Sequence, residues 1–178
     1  MKQQALYETL WQAGQGREED IVLRCGDKSL SYGALFQGIL QTEAGLRALG
    51  VGPGELVTLF SLNTPEAVMA FYAIDRIGAV ANWVDMKVSP AEVEEYLTQA
   101  DSRVALVLEV AFSKVYHHRG KAPTQHFVVL PLAPYVAPEL EGKLHLNTWQ
   151  QGAGPDCLSW ADFLRPPAQV PPEADRWE

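Results

Sequence analysis

Leu56-Val57-Thr58-Leu59-Phe60-Ser61-Leu62-Asn63-Thr64-Pro65-Glu66-Ala67-Val68-Met69-Ala70-Phe71-Tyr72 decides the fold. Leu56 to Ser61 is a continuous apolar run, as expected of a strand buried on both faces. Asn63 or Thr64 then stands ready to cap a helix whose first turn holds Pro65 and Glu66. The fixed φ of proline and the negative charge both suit a helix start. Val68, Met69, Phe71, Tyr72 and Ile74 supply an apolar face, and Gly78 ends the helix. One unbroken piece of chain therefore reads as strand, cap and helix.

The same alternation extends in both directions. Upstream, Ile21 to Cys25 and Ser29 to Tyr32 are β-prone runs separated by Gly26-Asp27-Lys28, which predicts a small N-terminal hairpin. Ser31 caps the next element, where Leu35, Ile39, Thr42, Leu46 and Leu49 form one stripe of a helix. That helix stops at Gly50, and Gly52-Pro53-Gly54 turns the chain into the strand at Leu56. Downstream, Val80 to Val84 is the next strand. Ser89-Pro90-Ala91-Glu92 is a capping box with Pro at the first helical position, and Val93, Tyr96 and Leu97 face inward from its helix. Val104 to Leu108 is a further strand, followed by a short helix near Ala111 to His117 and a strand at Phe127 to Leu130. Buried strands joined by helices predict an α/β fold with right-handed crossovers. Its sheet is mainly parallel with helices on both faces, a Rossmann-like three-layer arrangement.

Composition bounds what such a domain can do. The chain has 178 residues, 47% hydrophobic and 20% charged, with 14 Lys+Arg against 22 Asp+Glu and a net charge of -8. At roughly 150 residues per domain, this allows one good core with an appendage. The acidic balance argues against a nucleic-acid or anionic-membrane partner, which would need clustered Lys and Arg. No apolar run approaches the roughly 20 residues that cross a bilayer. The first twenty residues do not read as a signal peptide. Cys25 and Cys157 lie far apart without metal-type spacing, so a cytoplasmic protein with reduced thiols is expected. Ten of the 14 glycines precede Asn82, and eight of the 12 prolines fall between Pro131 and Pro172. Residues 1–150 accordingly read as the α/β subdomain. Residues 151–178 read as a Pro-rich connector, stiffened by Pro166-Pro167 and Pro171-Pro172.

No single motif supplies a catalytic centre. Gly50-Val51-Gly52-Pro53-Gly54 superficially resembles a phosphate cradle, but its order is helix, glycines, strand, the reverse of a dinucleotide fingerprint. Gly14-Gln15-Gly16 has no strand before it, and no Gly-Lys-Ser/Thr sequence occurs. His117, His118, His126 and His145 lack the spacing of a closed zinc site and are expected to be solvent-exposed polar residues. No serine-nucleophile elbow is present. Glu92, Glu94 and Glu95 read as the solvated face of a helix. Met69, Phe71 and Tyr72, at helical spacing, read as core.

The order of several segments carries more. Leu30-Ser31-Tyr32-Gly33-Ala34-Leu35 comes first, then Gly45-Leu46-Arg47-Ala48-Leu49-Gly50-Val51-Gly52-Pro53-Gly54-Glu55-Leu56-Val57. Asn63-Thr64-Pro65-Glu66 and Arg76-Ile77-Gly78-Ala79-Val80 follow. In this order and spacing the chain resembles the start of an adenylate-forming (AMP-binding) enzyme of the acyl-CoA synthetase type. The resemblance runs from about Ala5 to Leu108 and more loosely through Trp160-Ala161-Asp162-Phe163-Leu164.

It implies a two-step reaction. A carboxylate attacks the α-phosphate of ATP to give an acyl-adenylate and pyrophosphate, and a thiol such as CoA then displaces AMP. The parent would use ATP, Mg and CoA on a carboxylic acid substrate. The family's Ser/Thr/Gly-rich phosphate loop ending in Pro-Lys-Gly is not in this sequence, nor are its later adenine-binding aromatic motif, ribose-binding Asp and catalytic Lys. In the family that loop follows a connector like Gln169 to Glu178. The resemblance thus implies an N-terminal fragment of a longer ligase, itself inactive, binding no cofactor and free to self-associate where the remaining synthetase domains would pack. Other readings are a peptide-synthetase adenylation domain fragment and a stand-alone α/β binding or interaction module.

One residue is implied as a cofactor contact. Acyl-CoA synthetases often carry Pro-Arg-Leu-Ser/Thr after the second motif, with the Arg near CoA phosphate, and Met86-Lys87-Val88-Ser89 stands in that place. Lys87 would act there as a point charge without the bidentate geometry of Arg. A solvated lysine ahead of a helix cap is the other reading of the same residue. The family's prolines around this strand are replaced by Asn82-Trp83-Val84-Asp85. No catalytic and no metal-binding residue is assigned.

Overall fold

The computed structural model describes residues 5–146 and 148–165. The predicted connector residues Pro166-Pro167, Pro171-Pro172 and Gln169 to Glu178 lie outside them. The chain begins with α1 (Leu6–Gly14), then a hairpin of β1 (Ile21–Cys25) and β2 (Lys28–Ser31), then α2 (Tyr32–Ala48). β3 (Leu56–Phe60), α3 (Pro65–Ile77), β4 (Val80–Val84), α4 (Pro90–Ala100) and β5 (Val104–Leu108) alternate after it. The remainder comprises α5 (Phe112–Tyr116), β6 (His126–Leu130), α6 (Pro138–Glu141), β7 (Cys157–Ser159) and α7 (Trp160–Phe163), with short 3-10 turns between.

β3 to β7 form one five-stranded parallel sheet in the order β4-β3-β5-β6-β7, and β1 and β2 form the separate antiparallel ribbon. β3, β5 and β6 are mostly apolar because both of their faces are covered. Val104, Leu106 and Leu108 of β5 join the core beneath α2 and α3, while Ala105 and Val107 join the core beneath α4 and α5. An α/β sandwich with helices on both faces is therefore the observed architecture.

The helix boundaries follow the expected chemistry. Ser31, Thr64 and Ser89 each cap a helix by accepting a backbone N–H, and Ser89 with Glu92 completes a capping box. Between the two candidates before α3, Thr64 is the cap, with Oγ1 accepting from Ala67 N at 3.4 Å. Gly78 takes the left-handed conformation at the end of α3, with φ +75°, where a side chain would be strained.

Several expectations change. The wholly buried face of α3 is Ala67, Ala70, Ala73, Ile74 and Ile77, whereas Val68, Met69, Phe71 and Tyr72 are only half-buried around it. Small side chains win the interior position because α2 packs closely there, with Gly38 directly against Met69. Tyr96 does not face inward with Val93 and Leu97; it is exposed. α1 is fixed by tertiary contacts. Its anchors are remote in sequence: Tyr7 N–H donates to Asp75 Oδ2 at 2.9 Å, and the Arg76 guanidinium lies 4.3 Å from the Tyr7 ring centroid. Past residue 150, β7 pairs with β6 and Phe163 of α7 is buried in the first core, so the packed body reaches beyond the expected boundary.

Candidate functional site

In a doubly wound sheet, ligands bind beyond the carboxyl ends of the strands, beside the point where strand order reverses. Here that point lies between β3 and β5, the first and third strands of the parallel sheet along the chain, with β4 next to it. The turn 85–89, which carries Lys87, leaves the carboxyl end of β4. Lys87 is exposed, and its N–H donates to Asp85 Oδ1 at 2.8 Å. Val88 N–H donates to Asp85 O at 3.3 Å, and Ser89 N–H donates to Glu92 Oε2 at 2.7 Å. The Ser89 hydroxyl and backbone N–H together hold the Glu92 carboxyl below its usual range. From α5, the Lys114 ammonium donates to Met86 O at 2.5 Å and Val88 O at 2.9 Å. The result is a turn tied by these bonds that carries the exposed Lys87. Such a charge suits a phosphate held at the surface.

At the switch point itself the polar groups are turned inward. Trp83 Nε1 donates to Ser61 O at 2.9 Å, tying the ends of β3 and β4 together. Glu109 Oε1 accepts from Leu132 N at 2.6 Å and Ala133 N at 3.0 Å, joining the ends of β5 and β6. Glu66, in the first turn of α3, is 7% exposed; its Oε1 accepts from the Tyr135 hydroxyl at 2.6 Å, and its Oε2 has no hydrogen-bond partner. Burial pushes the Glu66 carboxyl up, and burial beside Glu66 pushes the Tyr135 phenol up. Neither buried glutamate was legible in advance. Pro65-Glu66 carries the signal of any helix start, and Tyr135 reaches it across 69 residues of chain.

The remaining candidates are placed apart. Gly50 to Gly54 lies at the opposite, amino end of the sheet and serves as helix end and turn. Its amides are already committed: Gly52 N–H donates to the Glu55 carboxylate at 2.6 Å and Gly54 N–H to Gly78 O at 2.8 Å. A carboxylate already seated on the loop does not fit a triphosphate, so no step of ATP chemistry is assigned to these residues. A cleft of about 430 Å³ at that end is lined by Gly54, Glu55, Asp101 and Arg103, with Arg103 Nη2 paired to Glu55 Oε1 at 2.7 Å.

His118 departs from the expectation of exposure. It is 5% exposed, with Nδ1 at 3.1 Å from Glu94 Oε2. The turn after α5 folds it beneath α4, which a histidine in a polar stretch does not announce. Glu94 is thereby a partner of His118 and Lys121 rather than simply solvated. Among the described residues, no group of three His, Cys, Asp or Glu is placed to hold a metal ion, and no helix is long and apolar enough to cross a membrane.

Comparison with known proteins gives this architecture a family. The model of the AMP-binding enzyme family matches residues 10–175. A long-chain-fatty-acid–CoA ligase of Thermus thermophilus is 34% identical over 101 residues, 56% of this chain and 19% of the relative. A 3-hydroxybenzoate–CoA/4-hydroxybenzoate–CoA ligase of Thauera aromatica is 31% identical over 102 residues, 57% of this chain and 19% of the relative. The chain thus spans about a fifth of the length of these curated relatives. Among solved structures, coronafacic acid ligase from Pectobacterium brasiliense superposes with a TM-score of 0.74 at 14% identity, over 92% of this chain and 30% of that one. An anthranilate CoA ligase superposes with a TM-score of 0.67 at 24% identity, over 78% of this chain and 26% of that one. These structural likenesses establish the shared fold. The sheet order, the capped βα units and the family match over residues 10–175 agree, and the chain belongs to the AMP-binding enzyme family.

Proposed function

We propose that this chain is the opening α/β part of an AMP-forming acid–CoA ligase. In the whole enzyme, a substrate carboxylate attacks the α-phosphate of ATP, releasing pyrophosphate. The CoA thiolate then attacks the acyl carbon and AMP leaves. The observation that carries this reading is the family match over residues 10–175, joined to relatives whose names are those of CoA ligases. ATP and Mg chemistry belongs to residues beyond these. Residues 1–150 with their extension through α7 form the platform, and residues after Arg165 connect it to the rest of the enzyme. In this reading Lys87 meets a CoA phosphate as a point charge. The compartment is the cytoplasm, where Cys25 and Cys157 stay reduced.

By itself the 178-residue chain is inactive and does not bind the nucleotide, because the Ser/Thr/Gly-rich phosphate loop ending in Pro-Lys-Gly is not in its sequence. Acid-dependent ATP–pyrophosphate exchange measured on the purified chain tests this. No exchange is expected, and exchange above background would overturn the assignment of adenylation to other residues. Reading the gene past Glu178 tests the larger claim: a Ser/Thr/Gly-rich segment ending in Pro-Lys-Gly supports the ligase, and an immediate stop codon removes it.

A further inference from the structure

The turn that carries Lys87 is held from another helix. Met86 O and Val88 O, the carbonyls on either side of Lys87 in the chain, both accept from the Lys114 ammonium, at 2.5 and 2.9 Å. Lys114 lies on α5, 26 and 28 residues away. Hydrogen bonds from a charged donor are shorter and stronger than neutral ones, and two carbonyls on one ammonium fix the turn between them. The other backbone groups of the turn use only local partners: Lys87 N–H and Val88 N–H go to Asp85, and Ser89 N–H goes to Glu92. Those local bonds shape the turn, and the Met86 and Val88 side chains pack it against the cores. Lys114 adds the polar tie to its backbone, from a helix whose Phe112, Val115 and Tyr116 are anchored in the second core. The same segment grips α4 one step further on, through His118 Nδ1 and Lys121 Nζ on Glu94 Oε2 at 3.1 and 3.8 Å.

We propose that Lys114 is a positioning residue for Lys87: it fixes the turn 85–89 so that the Lys87 ammonium is presented at one place for the phosphate of the acceptor thiol. This inference rests on the CoA-phosphate reading of Lys87 given above. Arg at position 114 retains paired charged donors and keeps the function. Met removes both hydrogen bonds while retaining an unbranched side chain of similar length.

The test is made in the full-length ligase, with CoA as the varied substrate. Lys114→Met is expected to raise KM for CoA about tenfold, with acid-dependent ATP–pyrophosphate exchange and kcat unchanged, because only placement of the acceptor site is lost. Lys114→Arg is expected to restore most of the affinity. Should Lys114→Met not fold, Lys114→Gln, a neutral donor one bond shorter, reads the same ratio with a rise in KM for CoA. An unchanged KM for CoA in the folded variants overturns the proposal. So does a fall in exchange parallel to the rise in KM, which marks general destabilisation. Lys87→Ala separates the two levels: if it leaves KM for CoA unchanged, the reading of Lys87 itself fails. If Lys87→Ala raises KM and the Lys114 variants do not, only the positioning role fails.

Discussion

Burial lifts the Glu66 carboxyl above the ordinary carboxylate range, and the Tyr135 hydroxyl donating to it at 2.6 Å pulls the other way without cancelling the effect. A carboxyl that holds its proton longer in the folded state contributes most to stability below its unfolded pKa, about 4.3. That contribution is lost as pH rises through the folded value. Glu66→Gln is therefore expected to flatten the decline in unfolding free energy from about pH 4 upward toward neutrality, measured by urea denaturation across pH; an undiminished slope would assign the decline elsewhere. Tyr135→Phe removes the hydroxyl that donates to this buried carboxyl. A loss of about 1–3 kcal/mol at neutral pH is expected in the same measurement. The sequence at Pro65-Glu66 showed a helix start and nothing of this burial, because the partner phenol arrives from a turn after β6.

Among the elements, α2 shows why helical glycine can be stabilising. A Cβ on Gly45 would lie 2.7 Å from the Phe163 ring and 2.9 Å from the Phe163 carbonyl oxygen. A backbone oxygen cannot swing aside, so the gain in helix propensity of roughly 1 kcal/mol is outweighed by overpacking of about 1–3 kcal/mol. Gly45→Ala is expected to destabilise. Gly38 is the internal comparison, because its Cβ would meet Met69 Sδ at 2.5 Å and Cε at 2.7 Å, the movable end of a flexible side chain. Gly38→Ala is thus expected to cost less than Gly45→Ala in parallel denaturation curves, and the reverse order would refute the packing argument. β4 and β5 have the bounds that their apolar runs announced, Val80–Val84 and Val104–Leu108. The three residues of β7, Cys157–Ser159, carry no period of their own. Only pairing with β6 makes them a strand.

For the whole molecule, the sheet ends on one side at β4, which pairs with β3 and has no second neighbour among the described residues. Val80 and Trp83 on this edge are 48% and 37% exposed, and Val80-Ala81-Asn82-Trp83-Val84 contains neither a charge nor a proline. Uncharged open edges invite pairing with another strand. The isolated chain is expected to self-associate with rising concentration in sedimentation experiments, and Val80→Lys to reduce it. A strictly monomeric species at high concentration would remove this expectation.

The sequence by itself determined the alternation of buried strands and capped helices, because apolar runs, caps and left-handed glycines act within a few residues of one another. The same local signals, in their order, carried the resemblance to adenylate-forming enzymes. Tertiary structure decided the order of strands, the alanine face of α3, the docking of α1 on Asp75 and Arg76, and the burial of Glu66 and His118. It also decided that Lys87 sits on a turn braced by Lys114. Each of these depends on groups far apart in the chain, brought within hydrogen-bond or van der Waals distance only when the sheet and its two helical layers pack.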